Sequence, residues 1–108
     1  SPLDPELHLF YTGLCFSYIG QKEFDKALAA CDKAMNLVSN MGRLYGFKAA
    51  ILGYLNRLDE AKIELNKYLE ARPNLKTKDD FRKLFFRSSP LTDIVIEGLC
   101  KAGWEPEE

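Results

Sequence analysis

Few residues of this chain combine the type and spacing that chemistry needs. Its 108 residues hold one histidine, His8, and three cysteines, Cys15, Cys31 and Cys100, with no CxxC pair among them. A metal site needs several convergent ligands, so a lone His8 reads as a surface residue at a helix start. Cys15 and Cys31 fall within apolar stripes and read as core. Cys100 has only Lys101 beside it in sequence to lower its pKa. Ser88 and Ser89 have no histidine partner, and Ser89 before Pro90 reads as a helix cap. Asp25, Asp32, Asp59 and Glu60 stand among lysines and arginines on polar helix faces, where they are solvated. No Gly-rich phosphate loop is present. The expectation is a chain that is not an enzyme in itself, with no catalytic residues, no metal and no cofactor.

Composition narrows the partners. At this length there is room for one domain and one modest core. The formal net charge of −1 supplies no counterion-release term, so nucleic acid is not expected as a partner. The longest apolar runs are far short of a membrane span. An odd number of cysteines without paired spacing suits free thiols in a reducing compartment, and so a cytoplasmic location.

The elements that must position these residues follow from a repeat. The stretch EFDKALAACDKAM (23–35) aligns with RLDEAKIELNKYL (57–69) at an offset of 34. Phe24 answers Leu58, Ala27 answers Ala61, Cys31 answers Leu65 and Met35 answers Leu69. The register extends back through Tyr11 and Tyr45, Cys15 and Ala49, and Tyr18 and Leu52, and forward from Ser39 to Pro73; Pro5 lies one repeat before Ser39. Apolar residues at steps of three and four predict helices over about 5–19, 22–38, 41–55 and 58–71. Gly20 and Gln21 break the first, Asn56 and Asp59 suggest a cap for the fourth, and Pro73 follows its end. Small residues at Cys15, Ala27, Ala49 and Ala61 let paired helices approach, and Tyr11, Phe24, Tyr45 and Leu58 fill the gaps between them.

After Pro73 the pattern decays. Thr77 and Asp80 form a capping-box signature before a short helix with Phe81, Leu84 and Phe85. Ser89 and Pro90 open a last helix carrying Leu91, Ile94, Val95, Leu99 and Ala102, with Gly103 as its C′ residue. Phe81, Phe85, Ile94, Val95 and Leu99 are expected to close the end of the stack, with Trp104 folding back on the seam and EPEE as a solvated tail.

The columns of this repeat resemble those of the tetratricopeptide repeat family: small Cys15/Ala49, large Tyr11/Tyr45, Phe24/Leu58, Ala27/Ala61, and closing prolines Pro5 and Pro73. Lys48, Ser39 and Tyr68 depart from it, and the bulk of Tyr68 is expected to push the next pair out of regular stacking. The resemblance implies an all-α fold, a short right-handed solenoid of antiparallel helix pairs. It divides the chain into repeat one over about 8–41, repeat two over about 42–75, a divergent capping pair over about 76–103 and an acidic tail at 104–108. The run from Phe81 through FFRSSPLTDIVIEGLCKAG is also similar to the closing segment of bacterial class III adenylate/guanylate cyclase proteins that carry such repeats at their C-termini. Gly98, Leu99, Lys101, Ala102 and Gly103 carry that likeness. The cyclase's own metal and nucleotide sites would lie upstream of these residues.

In that family the first helix of each pair lines a concave groove. The resemblance thus assigns Leu9, Thr12, Phe16, Arg43, Gly46, Phe47, Ala50 and Tyr54 to a partner-binding face, with Ile19 beside them and Thr77, Asp80 and Leu84 extending it. Phe16 and Phe47 would meet an apolar segment and Arg43 a carboxylate or carbonyl. The columns that clamp acidic chaperone tails in some relatives hold Thr12, Phe16, Phe47, Thr77 and Phe81, which cannot do so. The implied function is a protein-interaction module, the regulatory or assembly part of a larger bacterial signalling protein such as an adenylate cyclase. Its partner is a protein or peptide, which the parent chain itself can supply. The alternatives are a groove already covered by the last helix, and self-association as a homodimer or extension of a solenoid in a transcriptional regulator.

Overall fold

The computed structural model describes residues 5–38, 42–85 and 89–107. Among these residues it is all-helical, with six helices: α1 (Pro5–Gly20), α2 (Phe24–Leu37), α3 (Gly42–Tyr54), α4 (Leu58–Ala71), α5 (Lys78–Leu84) and α6 (Pro90–Lys101). Ser39 and Ser88 lie outside the described residues.

The repeat register is visible in what is buried. On α2 the buried residues are Ala27, Ala30, Cys31 and Ala34. On α4 they are Ala61, Glu64, Leu65 and Tyr68, each thirty-four residues after its counterpart. Both sets follow the i, i+3, i+4, i+7 spacing of one helix face. α1 packs on α2, α3 on α4, and α2 on α3, so neighbours in sequence are neighbours in space. Lys48 reaches Asp32 across the α2–α3 contact, Nζ to Oδ1 at 2.9 Å. Burial acts to lower its pKa, but the hydrogen bond and charge of Asp32 carry it upward on balance.

The turns inside the two pairs are also alike. After α1, the N–H of Lys22 donates to Ile19 O and that of Glu23 to Tyr18 O; after α3, Asn56 donates to Gly53 O and Arg57 to Leu52 O. This is the Schellman arrangement, which needs a left-handed residue at C′. Lys22 (φ 61°) and Asn56 (φ 60°) occupy it. Two expectations are corrected here. Gly20 is the last residue of α1 rather than its breaker. Asn56 terminates α3 instead of capping α4, whose N-cap is Arg57, without a side-chain cap bond.

The expected caps of the last two helices are present. Thr77 Oγ1 accepts from Asp80 N–H at 3.0 Å, and Asp80 Oδ2 accepts from the N–H groups of Thr77 and Lys76, both at 2.9 Å. Ser89 Oγ accepts from Thr92 N–H at 3.2 Å, with Pro90 starting α6. Gly103 (φ 117°) turns the chain back after α6, with Trp104 N–H bonded to Leu99 O at 2.9 Å. Leu99 and Trp104 are both buried, the apolar contact that accompanies this motif. Trp104 is buried, in line with its expected return to the seam, but EPEE is not wholly solvated: Glu107 N–H donates to Lys76 O at 2.7 Å. It pairs there with the extended backbone just before α5, as an isolated parallel bridge between Thr77 and Glu107.

The radius of gyration is 13.0 Å, the size of one compact domain of about a hundred residues. No helix among the described residues is long and apolar enough to cross a membrane.

Candidate functional site

The face that the sequence assigns to a partner is built from α1 and α3. α3 reads GRLYGFKAAILGY and carries Gly46, Ala49, Ala50 and Gly53, all buried. A stripe of residues without bulk lets another backbone come close, and α6 is that backbone. A Cβ on Gly53 would lie 2.6 Å from the carbonyl oxygen of Gly98, and one on Gly98 would lie 2.8 Å from that of Ala50. α6 also packs on α1.

α6 therefore covers the Ala50 and Tyr54 end of the assigned groove. Ala50 is buried against Gly98. Gly46 is buried beneath the ring of Tyr68, whose carbons would stand 2.8–2.9 Å from a Cβ there. So the ring is seated over a glycine, which is how the helix pair accommodates it. Thr12 is buried, its hydroxyl donating to His8 O at 2.8 Å. Tyr54 donates its hydroxyl to Ile94 O of α6 at 2.6 Å and stacks on Phe24 with centroids 4.1 Å apart. Burial, with the Glu97 carboxylate nearby, pushes the Tyr54 phenol up to about 12.

Phe16 and Phe47, the expected apolar anchors, meet each other edge to face at 4.5 Å, and Phe85 contacts both, at 5.7 and 5.2 Å. Phe47 is only 2% exposed. The rings continue through Phe81, 4.9 Å from Phe85, to Trp104 and Tyr68 at 6.3 and 6.5 Å. Of the eight assigned residues, Leu9 and Arg43 are exposed, Phe16 and Tyr54 are half-buried, and Thr12, Gly46, Phe47 and Ala50 are buried. The expectation of an open groove anchored by Phe16, Phe47 and Arg43 is corrected accordingly. The chain's own C-terminal helix and Phe85 cover it, and a peptide along this face would have to displace them. Of the extension residues, Thr77 and Asp80 are engaged in the cap of α5, and Leu84 is exposed.

Exposed apolar surface remains on α1, at Leu9 of the assigned face and at Phe10 beside it. α1 is apolar around most of its circumference: Cys15 and Ile19 are buried on one side, while Leu9 and Phe10 are 54% and 57% exposed. Tyr11, Leu14 and Tyr18 form a shallow groove of about 210 Å³ with Ala29 and Ala30 of α2. Lys33 and Lys26 bridge its walls, their ammonium groups 5.3 Å from the Tyr11 centroid and 5.9 Å from that of Tyr18. Leu58 is 49% exposed, so it does not fill a gap between helices as Phe24 does.

The chemistry-bearing residues are otherwise engaged. His8 is buried rather than at the surface, and its Nδ1 has no hydrogen-bond partner among the described residues. Cys31 donates weakly to Leu44 O at 3.7 Å. The neighbouring Cys15 thiol and burial hold the Cys31 thiol far above its ordinary pKa, so it is protonated and inert. Among the described residues no three His, Cys, Asp or Glu side chains converge as a metal site. No protein-family model matches the chain, and no solved structure matches it at a significant level.

Proposed function

We propose that this chain is a tetratricopeptide-like module that acts by protein–protein contact, through the exposed apolar residues of α1. The single observation that carries this reading is the two-sided apolar character of α1, with Leu9 and Phe10 more than half exposed. A helix apolar all round is normally buried on both sides, and helix pairs of this kind bury their remaining faces by stacking on another pair. On the groove side α6 covers Ala50 and Tyr54 and the Tyr68 ring covers Gly46, while Leu9 stays open. On the sequence resemblance, the module is the regulatory or assembly part of a larger bacterial signalling protein, such as a nucleotide cyclase, with no catalysis of its own. Covering the α1 face then couples it to another helical surface, in the parent protein or in a second copy.

Light scattering over a hundredfold concentration range tests the self-association form. A dimer that dissociates on dilution and is lost in Leu9→Ser with Phe10→Ser supports it. A dimer indifferent to those substitutions places the contact elsewhere and overturns the assignment of α1. A monomer throughout rules out the second copy as the covering surface.

A further inference from the structure

A separate site lies at the other end of the molecule. The end of α4, the turn at Arg72–Lys76 and the reversed segment after Gly103 line an open cleft of about 570 Å³. That is within the size range of small-molecule sites. The sequence pattern did not point to it, because its walls come from two segments some thirty residues apart, joined where Glu107 N–H bonds to Lys76 O.

The lining has a definite chemistry. Leu65, Leu75 and Trp104 provide a buried apolar floor. Lys62, Arg72 and Lys76 bring three cations to the cleft, against two carboxylates from Glu105 and Glu107. Arg72 is the informative member. Its Nε–H is buried without a hydrogen-bond acceptor among the described residues, and its guanidinium stands beside the Tyr68 hydroxyl. Arg72 as a whole is half-buried, and the group that best satisfies a guanidinium is a carboxylate or similar planar oxyanion. Lys62 and Lys76 are exposed side chains and add attraction without fixing geometry.

We infer that this cleft binds a small organic carboxylate with an apolar body, its carboxylate on Arg72 and its body against Trp104. Such a ligand bridges α4 and the C-terminal segment that follows α6. This site stands independently of the α1 contact proposed above.

Trp104 is the only tryptophan, so its fluorescence reports on the cleft directly. The full chain is titrated with octanoate, with octanol and octylamine as matched controls. The expected result is a saturable change with octanoate and binding about tenfold weaker for octanol, from loss of the charge-assisted bond. Arg72→Gln is expected to weaken octanoate by a similar factor while the far-ultraviolet circular dichroism is unchanged. If Arg72→Gln does not fold, Lys62→Gln with Lys76→Gln is the substitute, and a several-fold loss with a shallower salt dependence is expected. No saturable change up to about 10 mM, far above the Kd of a useful site, overturns the inference. So does equal affinity for octanol, or indifference to the charge substitutions in folded protein.

Discussion

Gly98 of α6 and Ala50 of α3 touch so closely that a Cβ on the glycine would stand 2.7 Å from the alanine Cβ. This contact decides which surface of the protein is available. It brings α6 onto the α3 face and buries Ala50, while Leu9 and Phe10 of α1 stay exposed.

Gly98→Ala is expected to destabilise the fold by about 1–3 kcal/mol, the usual cost of overpacking a filled contact. The obstacles are the Ala50 backbone oxygen at 2.8 Å as well as the Tyr54 ring, so relaxation requires α6 to move. A lowered urea midpoint with retained helicity is the expected readout. An unchanged midpoint would mean that α6 is not seated against α3.

Lys22→Gly is expected to raise stability by about 0.5–1 kcal/mol. Lys22 holds φ of 61°, where an L side chain is strained and glycine is not. Asn56→Gly should gain less, since asparagine tolerates this region better. Thermal unfolding of both variants checks the order.

The Asp80 carboxyl is held below the usual carboxylate range by the backbone N–H groups of Lys76 and Thr77. A depressed folded-state pKa contributes stability that is present above the unfolded value and lost as pH falls through the folded one. Asp80→Asn should therefore reduce stability at neutral pH and flatten the acid limb of the stability profile. A parallel shift of the whole profile would assign the acid sensitivity to another group.

At alkaline pH the sign reverses. Burial pushes the Tyr68 phenol up to about 12 against the pull of Arg72, and Tyr54 rises to a similar value. Each contributes stability that is complete below the ordinary phenol pKa of about 10 and declines as pH rises through about 12. Ultraviolet titration should show two tyrosines ionising late, and Tyr54→Phe should remove one of them. It should also cost about 1 kcal/mol at neutral pH, from the lost bond to Ile94 O.

Much of the local structure was legible in the sequence. The offset that pairs Ala27 with Ala61 and Cys31 with Leu65 locates α1 to α4. Thr77 with Asp80, Ser89 with Pro90, and Gly103 mark the ends of α5 and α6, because capping is chemistry among near neighbours. Asn56 misled because asparagine suits both an N-cap and a left-handed C′ position, and only the hydrogen bonds of the turn distinguish them. For the groove, a signal was present but unread: Gly46, Ala50 and Gly53 make a bare stripe on α3, and Gly98 sits bare on α6.

The sequence by itself determined the helices, the caps of α5 and α6 and the repeat register, since these depend on backbone propensity and spacing along one chain. Only the tertiary structure decided that α6 returns across α1 and α3, that Phe85 covers Phe47, and that Arg72 and Trp104 share a cleft. Periodicity identifies an apolar stripe but not which other stripe it meets. That choice rests on close approach between residues such as Ala50 and Gly98, forty-eight positions apart.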